Sequence, residues 1–263
     1  MQEASYAREL QETGAVVITT ATAQGRRPYQ EDRSFVYAVP EGTLLGVFDG
    51  HGGDSVASCL CAEFPKFWSA VDGNQYVDAL FKIFVMAHSV TREYHAGSTA
   101  SVVFIPSDEK TAYIAVLGDS PVIAEQASGE TWIGPDHNAR SNQAERDLAI
   151  MRGGIYDGGY VWAPQGRFSD NEQGLQMTRA LGDYACRNFL SRMPEVFTIP
   201  LGDWLLVGSD GLLDPTHLKG DPTAAIVEYI NSGRGSATAD DLVKRAINIP
   251  TNDNVTAILW RRK

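Results

Sequence analysis

Residues 44–53 read Leu44-Leu45-Gly46-Val47-Phe48-Asp49-Gly50-His51-Gly52-Gly53. An apolar strand runs straight into an acid and a glycine-rich turn, and residues 54–68 continue as a helix. Upstream, residues 34–39 form a second strand, joined to residues 43–48 across Pro40-Glu41-Gly42 as a hairpin. Residues 15–22, rich in Val, Ile and Thr, precede it as another strand. Downstream, Tyr76, Val77, Leu80, Phe81, Phe84 and Ala87 mark one apolar face of a helix over residues 74–94. After Gly97 the period returns to two, with strands over residues 99–105, 111–117 and 121–126. A helix over residues 142–152 begins with Asn142 and Glu145 at capping-box spacing and stops at Gly153-Gly154. Residues 155–174, rich in glycine, read as an irregular surface segment. Residues 204–208 and 255–260 are strands, with a helix over 238–248 between them.

Strands thus come in a block, then helices, then strands again. That order predicts an α+β fold with antiparallel sheets covered by helices, not an alternating parallel α/β fold. No Pro/Ser-rich linker divides the chain, so residues 1–263 are expected to form a single domain.

The composition limits what the domain can do. Apolar residues are 43% and charged residues 21% of the 263, ordinary for a globular protein. Acids outnumber bases by 33 to 22, for a net charge of −11. This balance argues against a nucleic-acid backbone or an anionic membrane surface as partner. Cys59, Cys61 and Cys186 are no disulfide framework, and Cys59-Leu60-Cys61 lacks the second pair a zinc knuckle needs. No apolar run approaches the roughly 20 residues of a membrane span, and Met1 to Leu10 show no signal-peptide core. The expectation is a soluble, monomeric, intracellular protein, cytoplasmic or nuclear. His88, His95, His137 and His217 have no pairing at metal-ligand spacing.

The informative residues are acids at strand ends. Asp49 follows Val47-Phe48, Asp119 follows Val116-Leu117-Gly118, Asp210 follows Val207-Gly208-Ser209, and Asp253 precedes the last strand. Any one of them alone reads as a turn former. Together, partly desolvated, they would repel unless cations lay between them. Oxygen ligands with few Cys or His partners suit hard cations such as Mg²⁺ or Mn²⁺. The pattern points to a metal-dependent hydrolase.

The chain also resembles the metal-dependent protein Ser/Thr phosphatases of the 2C type. The matches run in order: Arg27 four residues before Glu31-Asp32, Val47-Phe48-Asp49-Gly50-His51-Gly52-Gly53, Gly97-Ser98-Thr99-Ala100, and Leu117-Gly118-Asp119-Ser120. Asp136-His137, Thr178-Arg179-Ala180-Leu181-Gly182-Asp183, Ser209-Asp210-Gly211 and Asp253-Asn254-Val255-Thr256 follow.

The resemblance implies a four-layer α-β-β-α sandwich, two central antiparallel sheets flanked by helices. It implies two Mn²⁺ or Mg²⁺ ions, with Asp49 bridging both, the Gly50 carbonyl on one, and Asp210 and Asp253 on the other. Asp119 with Asp210 would form a third site, and Glu31, with Asp32, would hold waters behind the ions. His51 would protonate the leaving group and Arg27 would clamp the phosphate. Phosphorylated Ser/Thr proteins would be the substrates. Two alternatives keep the fold: a catalytically weak pseudophosphatase that acts by binding, and a phosphatase of small metabolites.

Pro121, Asn138-Ala139 and Leu213 depart from the family pattern. They bear on local packing and substrate preference, as does the segment after Gly154.

Overall fold

The structure is a computed structural model and describes residues 6–13, 15–71, 75–164, 174–213, 220–233, 235–248 and 251–263. Strands β1 (Tyr6–Thr13), β2 (Val16–Ala23), β3 (Arg33–Val39), β4 (Gly42–Phe48) and β5 (Gly50–His51) lead into helices α1 (Ser55–Ala70) and α2 (Tyr76–Thr91). Next come β6 (Gly97–Ser98), β7 (Ala100–Pro106), β8 (Thr111–Leu117), β9 (Val122–Gln126), β10 (Thr131–Ile133) and α3 (Gln143–Met151). Short strands β11 (Ile155–Asp157), β12 (Tyr160–Trp162), β13 (Gly174–Leu175) and β14 (Leu181–Gly182) follow. The long β15 (Glu195–Gly208), α4 (Pro222–Ser232), α5 (Ala239–Asn248) and β16 (Val255–Arg262) complete the order.

The strands join in the order β1-β2-β16-β15-β8-β7-β4-β3, with β9 and β10 attached beside β15. One strand belongs to both central sheets. Glu195 to Pro200 of β15 pair with β8, whereas Trp204 to Gly208 pair with β16. Pro200 has no N–H to donate, and the register against β9 shifts between Leu201 and Leu205, so the strand changes sheets there.

Three cores define the layers. Between the sheets, Leu45, Val47, Val103, Ile114 and Val116 meet Val16, Ile18, Val122, Val207 and Ile258. On one outer face Leu44, Phe48 and Phe104 pack against Leu60, Phe64, Leu80 and Phe84 of α1 and α2. On the other, Leu206 and Leu259 pack against Ile226, Ile230, Leu242 and Val243 of α4 and α5. This is the α-β-β-α sandwich. It explains the unbroken apolar run of β4: a central strand with a sheet on one side and helices on the other has no wet face.

The Phe64 ring lies 5.2 Å from the centroids of both Phe48 and Phe84. Phe64→Ala removes a fully buried ring from this outer core. Denaturant unfolding should report a loss of about 3–5 kcal/mol.

One expectation changes, and two elements, β1 and α4, add to those expected from the sequence. Within residues 155–174, β11 and β12 pair as a hairpin and β13 adds a third strand, so the described part is a small sheet and not an irregular segment. Its cover is the side of a separate core of Ala149, Val161, Leu175, Ala180 and Phe189, too few apolar residues to show as a period. β1 is polar because it is an edge strand paired only with β2. Helix α4 has a local signal in the chain: Asp221 caps it, accepting from the Thr223 and Ala224 N–H groups, with Pro222 in its first turn. At α3 the Asn142 side chain accepts from the Glu145 N–H, as its spacing predicts.

Candidate active site

The acids gather where strand ends from distant parts of the chain meet. Asp49 sits one residue past β4. Its N–H donates to Thr99 Oγ1 at 3.1 Å, and its carbonyl accepts from the Thr99 N–H at 3.0 Å. Thr99 Oγ1 in turn lies 2.6 Å from Ser120 Oγ, beside Asp119. Asp210 opens the turn after β15, where Ser209 is locked to Thr256 of β16: its N–H donates to the Thr256 carbonyl at 3.0 Å, and its Oγ accepts from the Thr256 N–H at 2.9 Å. Asp253 lies just before β16. One pair of hydrogen-bonded strands therefore sets the spacing of Asp210 and Asp253.

Glu31 is fixed from both ends. Its N–H donates to Asn254 Oδ1 at 2.8 Å, and its Oε1 accepts from the Gly53 N–H at 2.6 Å. Asn254 Nδ2 also donates to the Gln24 and Tyr29 carbonyls, so one amide ties the 24–31 segment to the end of the chain. A Cβ on Gly50 would lie 2.5 Å from the Glu31 carbonyl oxygen, a close approach that only glycine permits.

These carboxylates share one electrostatic environment. Burial, then Asp210, Asp32, Asp119 and Asp253, holds the Asp49 carboxyl well above the usual carboxylate range. Burial, then Asp119 and Asp253, does the same to Asp210. Asp32, only 3% exposed, is raised by burial to about 6, against the pull of Ser209, Thr256 and Arg33. Asp119 is raised by burial to about 6 although its Oδ2 accepts from Asn138 Nδ2 at 2.8 Å; its Oδ1 is buried without a hydrogen-bond partner. Acids that raise one another's proton affinity, with an orphaned buried oxygen among them, have the chemistry of an oxygen-donor site for hard divalent cations. The residues fit such ions.

Arg27 stands at the rim. Its Nη2 donates to Asp253 Oδ2 at 2.7 Å and its Nε to the Asn252 carbonyl at 3.0 Å. Burial lowers its pKa, but Asp253, with Asp210 and Asp49, outweighs this and raises it. Arg26 is exposed beside it. His51 packs its Nε2 on Asp183, at 2.9 and 2.8 Å from the two carboxylate oxygens. Burial would lower its pKa, but Asp183, then Asp119 and Glu31, raise it. Thus Arg27, Glu31, Asp32, Asp49, Asp119, Asp210 and Asp253 sense one locality, with His51 alongside.

Three further residues of this locality hold the others in place. Asn138, at a position where the family pattern differs, holds Asp119. Asn254 organises the 24–31 segment, and Asp183 anchors His51. Each acts through a contact distant along the chain, so no local pattern shows it. Asp214 and His217 lie outside the described residues.

Among the described residues, one trio of metal-ligating side chains converges within 4.8 Å: His137, Glu145 and Glu195. There the cation is already supplied. Arg179 Nη2 lies 2.5 Å from Glu145 Oε1 and 2.7 Å from Glu195 Oε1, and Thr178 Oγ1 donates to Glu145 Oε2 at 2.7 Å. Although burial alone would raise it, Glu145 is pulled to about 2 by Arg179 and Thr178. His137 Nδ1 accepts from the Gly118 N–H at 3.1 Å, so the buried histidine braces the turn that carries Asp119.

The chain is similar to known proteins. The family model "Protein phosphatase 2C" matches residues 22–255. A rice protein, "Probable protein phosphatase 2C 55" of Oryza sativa subsp. japonica, is 27% identical over 252 residues, covering 90% of this chain and 63% of its own. This chain spans about half to two thirds of the length of such curated relatives. The crystal structure of serine-threonine phosphatase 2C from Toxoplasma gondii superposes with a TM-score of 0.78 at 19% identity, covering 98% of this chain and 99% of that one. The PstP catalytic domain, solved in complex with two manganese ions, gives 0.65 at 17% identity, covering 94% of this chain and 98% of that one.

Proposed function

The chain belongs to the protein phosphatase 2C family, and on that premise we propose that it is a metal-dependent protein serine/threonine phosphatase. It hydrolyses phosphoserine and phosphothreonine monoesters. The observation that carries this reading is that Asp49 and Asp210, at separate strand ends, are buried within electrostatic reach of each other and of Asp119 and Asp253.

Asp49, the Gly50 carbonyl, Asp210 and Asp253 would hold two Mn²⁺ or Mg²⁺ ions, and Asp119 with Asp210 would offer a third position. Glu31 and Asp32 would order water beside them. When bound, divalent ions offset the phosphate's negative charge and make a water nucleophilic near neutral pH. The chain's own groups do the rest. Arg27, held at the rim by Asn252 and Asp253, presents a planar donor to the phosphate oxygens, which a lysine could match only as a point charge. His51 gives a proton to the serine or threonine oxygen as the P–O bond breaks, since an alkoxide leaves poorly unprotonated. No covalent phosphoenzyme is required.

We read residues 1–263 as one catalytic domain, because β1 and β2 share a sheet with β16. An intracellular location fits a sparse, odd set of three cysteines, Cys59, Cys61 and Cys186, which is no disulfide framework. No helix among the described residues is long and apolar enough to cross a membrane.

Purified chain with Mn²⁺ should release phosphate from a phosphothreonine peptide. Excess EDTA should abolish the activity and added Mn²⁺ restore it. Full activity in EDTA would overturn the reading.

A further inference from the structure

Strands β14, β6 and β5 form a small three-stranded sheet with β6 in the centre. Gly97 pairs with His51 on one side and with Gly182 on the other. His51 and Asp183, the residue after β14, are thereby brought together across Gly97, far apart in sequence. A Cβ at Gly97 would lie 1.9 Å from Asp183 Oδ2 and 2.3 Å from His51 Nε2, so the contact exists only because that residue has no side chain.

Asp183 is fully buried and left-handed, with φ +49° and ψ +56°, a conformation unfavourable for a non-glycine residue. Its N–H donates to the Ala96 carbonyl at 2.9 Å, which fixes the strained backbone in place. Both its carboxylate oxygens face His51 Nε2. The other ring nitrogen, Nδ1, is buried without a hydrogen-bond partner. The two nitrogens of an imidazole are not equivalent, and the partner of one decides what the other can do.

We infer that Asp183 is the positioning residue of His51: it holds Nε2–H and fixes the ring, which leaves Nδ1–H as the proton that can pass to the leaving group. This rests on the phosphatase reading above. As the P–O bond breaks, its electron pair stays on the serine or threonine oxygen, which takes the Nδ1 proton and departs as the alcohol. The imidazole is left neutral with Nε2–H still on Asp183, and a proton from solvent returns to Nδ1 before the next turnover. An aspartate that orients an imidazole from behind is a recurring arrangement in enzymes.

The test is leaving-group dependence in the Mn²⁺-loaded enzyme. Asn tolerates left-handed backbone, so Asp183→Asn keeps the local fold while removing the charge. A phosphothreonine peptide needs its leaving oxygen protonated, whereas 4-nitrophenolate leaves without help. Asp183→Asn should lower kcat roughly 100-fold on the peptide and no more than about threefold on 4-nitrophenyl phosphate. In a His51→Gln background, Asp183→Asn should cost nothing further on the peptide. Equal losses on both substrates, or an undiminished loss in the His51→Gln background, would overturn the inference. Should Asp183→Asn not fold, Gly97→Ala displaces the same contact from the other side and carries the same comparison. A wild-type chain inactive on both substrates would instead overturn the phosphatase reading, and this inference with it.

Discussion

Asp210→Asn is expected to abolish activity and, in the metal-free protein, to raise stability. If Asp210 holds divalent ions as proposed, its loss should cost at least about 1,000-fold in kcat/KM, because such ions supply several kcal/mol of transition-state stabilisation. Calorimetry should show weakened Mn²⁺ binding in the same variant. The stability change has the opposite sign. Without metal, burial and the charges of Asp119 and Asp253 raise the Asp210 pKa well above its ordinary value. The folded state therefore keeps a proton that the unfolded state releases, and stability falls as pH rises from the ordinary carboxylate value through the raised one. Asn carries no such penalty. The metal-free variant should melt above wild type at pH 7.5, with the gap closing toward pH 4. Activity retained together with normal Mn²⁺ binding would sink the assignment of Asp210. Such an inverse relation of stability and function is what a site built to hold something absent should show.

Arg179→Met should destabilise the fold by about 3–5 kcal/mol, because it strips the cation from a buried ion pair. Glu145 is 5% exposed and would keep only Thr178 as a donor. Its folded pKa, about 2, is depressed, so the stabilisation is full above the ordinary value near 4.5 and is lost as pH falls through the folded one. The deficit of the variant should accordingly be largest near neutral pH and shrink toward pH 2–3. Denaturant midpoints at pH 7.5 and pH 3 measure both. A loss below about 1 kcal/mol at pH 7.5 would refute the account, since breaking a buried pair should cost more than that.

Most of the framework was legible because its signals are local. β4 is an apolar run ended by Asp49 and glycines, α2 shows a helical face, and Asn142 caps α3 at the spacing its sequence shows. The acids too could be named one by one from their places at strand ends. β1 and the hairpin of β11 and β12 were not legible, because an edge strand needs little apolar character and the small sheet hides only one side. The crossing of β15 from one sheet to the other was equally hidden, since a strand's sequence does not say which partner takes each half.

What the sequence by itself determined was the set of candidate groups: acids at strand ends beside turn residues, without a Cys or His set at metal-ligand spacing. Resemblance to a family named the roles. What only the tertiary structure decided was who holds whom. Asn254 reaches Glu31 and Asn138 reaches Asp119. Arg179, not a metal, occupies the His137–Glu145–Glu195 trio, and Asp183 meets His51 across Gly97. Side-chain identity and turn propensity act over a few residues and can be read from the chain. The raised acids and the oriented imidazole depend on charges and contacts brought together from more than a hundred residues apart in the chain, which exist only once the two sheets have closed on each other.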